Sequence, residues 1–110
     1  MVKMKTPEDF FEKILPKRFK PEKAEGVDVS VNIDIVGDNG GKWTVIIKNQ
    51  KIKIEKGHYN VASLSLKISE KDYLEIIEDK LSGEKAFFTG KLKLEGDISL
   101  VLKLKDMGFF

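Results

Sequence analysis

Few side chains in this sequence have the type and spacing that catalysis or metal binding requires. His58 is the single histidine and there is no cysteine, so a thiolate nucleophile, a zinc–thiolate site and a histidine cluster are excluded. Asp28 and Asp34 share one side of a predicted strand, but that stretch of strand separates them by about 20 Å. The serines have no base to activate them. We therefore expect no enzyme, no metal and no other cofactor.

Lysine supplies most of the positive charge, and the formal net charge is +2. That charge is too small to indicate nucleic-acid binding, and no aromatic residues alternate with the lysines as single-strand binding requires. We interpret most lysines as a solvated surface. Attraction to an anionic membrane surface or to a ligand's phosphate is the alternative.

An excess of apolar residues near the C-terminus is the most informative feature. In the predicted last helix Ile98, Val101 and Leu102 share one side, whereas Leu100 and Leu104 lie on another. One side can cover a sheet, and the other requires ordinary core packing or a further partner. That partner is a second subunit, a membrane or an apolar ligand. Further apolar residues stand before and after this helix: Ala86, Phe87, Phe88, Met107, Phe109 and Phe110.

The length and the composition predict one globular domain spanning residues 1–110. Of the 110 residues, 41% are hydrophobic and 35% are charged, which is typical of folded proteins. The first residues have no apolar segment of the signal-peptide type, and no run of apolar residues is long enough to span a bilayer. We expect a cytoplasmic protein.

The order of hydrophobic patterns predicts an α+β domain. Thr6 caps a first helix that Pro16 should end, and Ser69 caps a second that ends near Ser82-Gly83. A helical turn follows at 84–88, and Asp97 caps the last helix. Alternating residues predict five strands, of which the first three form an antiparallel meander and the first has one wet side: 27–35, 42–48, 51–56, 61–68 and 91–95.

Three segments resemble the sterol carrier protein-2 (SCP-2) sterol-transfer family, in the family's order and over nearly the whole length. They are GKWTVIIKNQKIKIEKG, the acidic-capped SEKDYLEIIEDKLSG and the most specific one, AFFTGKLKLEGDISLVLKL. Gly90, Leu92, Leu94, Gly96 and Asp97 of the last segment match the family's pattern of glycine, leucine-rich strand and Gly-Asp before an apolar helix.

The resemblance implies a five-stranded sheet with helices covering one face and an apolar tunnel between the layers. It also implies non-enzymatic binding or carriage of a lipid, such as a fatty acid, a fatty acyl-CoA or a sterol-like molecule, beside the C-terminal helix. We expect the lipid to contact apolar residues on both sides of this tunnel: Phe87, Phe88, Ile98, Val101 and Leu102, with Tyr73 and Ile77 across the cavity. Lys91, Lys103 or Lys105 would meet a carboxylate or phosphate head group.

A second reading is left open: a protein-interaction or dimerisation module that uses the same apolar C-terminal surface, especially Met107, Phe109 and Phe110. The sequence also departs from peroxisomal members of the family, because it ends in MGFF rather than in a Ser-Lys-Leu address. No peroxisomal location is therefore expected.

Overall fold

One mixed sheet of five strands carries helices on one of its faces. The computed structural model describes residues 6–58 and 62–108. The strands are arranged in the order β3-β2-β1-β4-β5. Their bounds are β1 Val29–Val36, β2 Gly41–Lys48, β3 Lys51–Lys56, β4 Leu64–Ser69 and β5 Leu92–Gly96. The α+β class and the five strands are confirmed; the predicted start of the fourth strand at Val61 lies outside the described residues.

The helical segments are short, and side-chain caps fix where some of them begin. The prediction that Asp97 caps the last helix is wrong, because Ser99 stands at its N-cap and makes no side-chain cap bond. Thr6 Oγ1 accepts a hydrogen bond from the amide of Asp9, and Ser69 Oγ accepts one from the amide of Asp72, as the predicted N-caps require. The segments are α1 Pro7–Asp9, a π-helical turn Phe10–Ile14, α2 Leu15–Arg18, a 3₁₀ turn Pro21–Lys23, α3 Glu70–Ile77, α4 Gly83–Phe88 and α5 Leu100–Met107. Among the described helices, none is long and apolar enough to cross a membrane.

The prediction that Pro16 ends the first helix is wrong. The backbone continues as helix to Arg18, and Pro16 is the second residue of α2. The five residues before α2 form a π-helical turn in which the amide of Leu15 bonds to the carbonyl of Phe10. We attribute the tolerance of Pro16 to this wider turn, since a proline ring normally clashes with the carbonyl four residues earlier.

The second helix is also shorter than predicted. It ends at Ile77, and Asp79 adopts a left-handed conformation with φ of 61°. Ile76 is buried on its inner face together with Tyr73 and Ile77, whereas the neighbouring Leu74 and Leu81 are half-buried.

Two halves of the sheet meet through parallel pairing of β1 with β4. Strands β1, β2 and β3 pair antiparallel, which confirms the meander, and β4 pairs antiparallel with β5. Strand β1 then lies parallel to β4, with Ile33 opposite Leu66. This pairing makes one apolar row straight across the helix-covered face, from β2 to β5: Trp43, Ile33, Leu66 and Leu94.

The opposite face is not wet along its whole length, which corrects the sequence prediction. Asn32 is only 6% exposed and Thr44 is fully buried. The Thr44 hydroxyl lies 2.9 Å from Asn32 Oδ1 and 2.7 Å from the Gly57 carbonyl oxygen. His58 is exposed, yet its Nε2 lies 3.0 Å from the carbonyl oxygen of Ile33. The segment 57–58 therefore covers this part of the sheet.

This buried hydroxyl gives a test of the fold. Thr44→Val keeps the side-chain shape but removes the hydroxyl that lies within hydrogen-bond distance of the oxygens of Asn32 and Gly57. We expect a loss of about 1–3 kcal/mol in the free energy of unfolding, measured by urea denaturation, because a buried polar contact is lost. Thr44→Ser keeps the hydroxyl and should cost less. Equal losses in the two variants would show that the methyl group, not the hydrogen bond, matters.

Candidate apolar-ligand groove

An open apolar groove of about 340 Å³ lies between α4, β5 and the start of α5. We call it the C-terminal groove. Its volume is near the lower end of the range for small-molecule sites, which are usually concave and mostly apolar. Eight residues line it: Gly83, Glu84, Phe87, Phe88, Leu94, Ile98, Val101 and Leu102. Glu84 is the one charged side chain in this lining.

Short-range hydrogen bonds fix the two walls of the groove. Ser82 Oγ accepts a hydrogen bond from the amide of Lys85 at the start of α4. The amide of Lys91 donates a hydrogen bond of 2.8 Å to the carbonyl of Ala86, just after the helix ends. Strand β5 then turns sharply at Gly96, where φ is 108° and a Cβ atom would lie 2.7 Å from the carbonyl oxygen of Ser63. Only glycine allows this close approach, so the turn into α5 is fixed in place.

The groove walls expose more apolar surface than an ordinary core would leave. The exposed fractions are 82% for Phe88, 63% for Leu102, 49% for Ile98 and 38% for Phe87. Single exposed apolar residues are normal, but a contiguous group indicates a binding surface. The two phenylalanine rings touch each other, with centroids 5.7 Å apart.

Helix α5 explains why this surface is left over. Leu100, Leu104 and Met107 face the core and are at most 6% exposed, while Leu102 points away. Met107 is buried, so it is not part of the exposed surface that the alternative of a dimerisation module would use; Phe109 and Phe110 lie outside the described residues.

The structure brings five of the predicted ligand contacts together and separates the others. Phe87, Phe88, Ile98, Val101 and Leu102 all line the C-terminal groove. Tyr73 and Ile77 do not line it; they are buried in the core at 1% and 8% exposure. Lys91, Lys103 and Lys105 are exposed and lie outside the lining. The sequence did not predict Gly83, Glu84 or Leu94 as lining residues, because neither a short helical turn nor strand alternation reveals which neighbouring element a residue meets.

The groove is open to solvent and is not an enclosed tunnel, so a tunnel between the layers stays a prediction. A second depression of about 370 Å³ lies on the opposite face of the sheet, and its lining includes Asp34, Lys67, Lys93 and Glu95. Its mixed charges do not suit an alkyl chain, because charged groups lose hydration when an apolar chain covers them. The C-terminal groove is therefore the better candidate.

Tyr73 belongs to an aromatic stack at the other end of the helix-covered face. The ring of Phe11 lies between those of Trp43 and Tyr73, with centroid distances of 4.9 Å and 5.7 Å. Burial raises the pKa of the Tyr73 hydroxyl far above its usual value, and the positive charge of Arg18 opposes this rise only in part. Tyr73 therefore stays neutral at any ordinary pH.

Residues that could hold a metal ion are not clustered in the part of the chain that the structure describes. The protein is thus a helix-backed sheet with an open groove whose lining suits an apolar molecule.

Comparison with known proteins identifies the family. The SCP-2 sterol transfer family matches residues 11–107, and the chain belongs to this family. It is a family of lipid-binding and lipid-transfer domains.

Relatives extend the comparison to longer proteins. Human sterol carrier protein 2 is 32% identical over 71 residues, covering 62% of this chain and 13% of the human protein. A structure of the sec-alkylsulfatase PisA1 from a Pseudomonas species aligns with a TM-score of 0.83 at 25% identity, over 94% of this chain and 16% of that one. Palmitated SCP2L2 from Aedes aegypti aligns with a TM-score of 0.65 at 21% identity, over 93% of each chain, and so shares the fold.

This chain spans only 10% to 20% of the length of several curated relatives that it matches. The SCP-2 domain thus occurs in proteins with other activities, including enzymes.

The two sides of α5 can be tested with one pair of variants. Leu104→Ala should cost about 2–5 kcal/mol of unfolding free energy because it leaves a cavity in the core. Leu102→Ala should change stability by no more than about 0.5 kcal/mol. Both substitutions have the same effect on helix propensity, so chemical denaturation compares burial alone. Similar costs would show that Leu102 is packed against the protein rather than lining a free groove.

Proposed function

We propose that this domain carries a lipid without transforming it, and that the alkyl part of the lipid binds in the C-terminal groove. The observation that carries the proposal is the convergence of four exposed apolar side chains on one concave surface: Phe87, Phe88, Ile98 and Leu102. Membership of the SCP-2 family and the palmitated state of the mosquito protein support this ligand class. Fatty acids, fatty acyl-CoAs and sterol-like molecules are the candidates.

The energetics favour reversible binding. Each methylene group moved from water into the groove contributes about 0.8 kcal/mol, so ten contribute roughly 8 kcal/mol. Losses of translational and chain freedom subtract from that sum, which leaves an affinity in the micromolar range or weaker. A carrier that must release its ligand needs an affinity of this order.

Positive charge near the groove supports a contact with an anionic surface. Lys91, Lys103 and Lys105 are exposed outside the lining, so we propose that they meet phosphate or carboxylate groups outside the groove. The phosphates of a membrane from which the lipid is taken are the clearest example. A cytoplasmic location remains a prediction of the sequence.

Filling the groove should abolish uptake. Ile98→Trp places an indole among the lining residues, and we expect binding of a fluorescent fatty acid to fall about tenfold or more, since apolar contact area is lost. Val36→Trp is the matched control, because Val36 is 51% exposed but lies outside the groove. Circular dichroism should show both variants folded. Full binding by Ile98→Trp would contradict this location.

The rival function is a homodimer or another protein contact through the same apolar surface. Exposure of Phe88 and Leu102 favours it. Native mass spectrometry after gentle purification separates the two, because a carrier appears as a monomer with a bound lipid and an interaction module as a ligand-free dimer.

The role of the lysines predicts a kinetic effect. Replacing Lys91, Lys103 and Lys105 by Glu should slow lipid transfer from anionic vesicles, and raised salt should reduce the difference from the unmodified protein. Transfer from zwitterionic vesicles and equilibrium binding of a neutral lipid should change little. Equal transfer rates from anionic vesicles would remove the proposed contact.

A further inference from the structure

Two buried polar atoms in the aromatic stack have no hydrogen-bond partner in the part of the chain that the structure describes. Within the described residues, neither the indole Nε1 of Trp43 nor the hydroxyl of Tyr73 has one. Trp43 is 4% and Tyr73 is 1% exposed. Leaving a buried donor unsatisfied destabilises the folded state, and folded proteins contain few such groups. Two of them flanking one ring suggest a place for a ligand's polar atom.

The chemistry of the two groups limits what they can bind. An indole N–H only donates, and the neutral hydroxyl of Tyr73 can donate as well. Both therefore suit an oxygen acceptor. The surroundings are apolar rings, where a charged carboxylate would lose its hydration at high cost. A neutral carbonyl, ester or hydroxyl oxygen fits better.

The sheet connects this pair to the C-terminal groove. Trp43 starts the apolar row that crosses β2, β1, β4 and β5, and Leu94 of the groove ends it. Three strand spacings separate the two ends, which is about 14 Å. A long-chain lipid lying along this row would reach from the groove to Trp43.

Phe11 packs against both rings that carry the two donors. Its ring separates Trp43 from Tyr73 and also lines a depression of about 310 Å³ at the surface, next to Pro16 and Ile54. The ring belongs to the π-helical turn Phe10–Ile14, and such turns are frequent at functional sites. If the Phe11 side chain is displaced, its ring can move into this neighbouring depression.

We propose that Trp43 and Tyr73 bind a neutral oxygen of the carried lipid, while its chain lies over Ile33 and Leu66 with its end in the C-terminal groove. This inference rests on the proposed function and adds the ligand class: lipids with an uncharged oxygen acceptor.

The test compares an ester with a hydrocarbon of similar length. Methyl dodecanoate and tetradecane, delivered from cyclodextrin, are titrated into the full chain by calorimetry. Tyr73→Phe should weaken binding of the ester about three- to tenfold, the usual effect of one lost hydrogen bond, and leave tetradecane binding unchanged. Trp43→Phe should show the same selective loss. In the unmodified chain, whose single tryptophan is Trp43, only the ester should shift the emission to the red.

A purely structural role for these groups predicts a different pattern. Without its unpaired hydroxyl, the ligand-free Tyr73→Phe protein should be at least as stable as the unmodified chain, so a selective loss of ester binding cannot come from unfolding. Equal binding changes for both ligands, or none, would overturn this inference while leaving lipid carriage intact. If neither ligand binds the unmodified chain and Ile98→Trp changes no lipid's binding, the proposed function falls as well.

Discussion

The apolar face of the sheet must be covered, and α5 covers its share with only one of its sides. Leu100, Leu104 and Met107 satisfy that requirement. The end of the helix is held by a hydrogen bond of 3.1 Å from the amide of Lys20 to the carbonyl of Met107. Because one side of α5 is enough to cover the sheet, the other side is not needed for folding. The groove exists since a helix this apolar cannot bury all of its surface against a five-stranded sheet.

The same constraint explains why the candidate site can be at once stable and open. Residues that hold α5 in place are distinct from those that line the groove, so a molecule bound in the groove alone could leave without detachment of the helix. An apolar surface that stays exposed in the free protein has a cost in solubility, and a chain with 35% charged residues offsets it. The aromatic stack differs from the groove in the opposite way. Its side chains are buried, and the groups without partners among the described residues are polar rather than apolar.

Local patterns in the sequence predicted most elements, because alternation and capping are local signals. The turn at Asn49-Gln50, where both residues have positive φ, is of this kind. Parallel pairing of β1 with β4 was not predictable in the same way, since no tight turn joins these strands. Strand alternation places Asn32 on the predicted wet side of the first strand, but it cannot reveal that segment 57–58 covers this residue.

The candidate site shows the same division between local and distant information. Five predicted contacts come from two nearby segments, 87–88 and 98–102, whose apolar density is visible in the sequence. Tyr73 and Ile77 were expected opposite them because of the family resemblance, whereas the helical pattern of α3 indicates only a buried side and not which neighbour it faces.

Tyr73 instead meets Phe11 and lies across the sheet from the groove. This separation is informative, because a lipid long enough to touch both ends must pass over the centre of the sheet, where Ile33 and Leu66 are at most 3% exposed. Binding along that path requires the helical layer to move away from the sheet. The short helices and the π-helical turn make that layer the more adaptable of the two, whereas the continuous hydrogen-bonded ladder keeps the row of side chains beneath it in register. Selection among lipids would then depend on how much of this row a chain can cover, and on whether it carries an oxygen where the row ends.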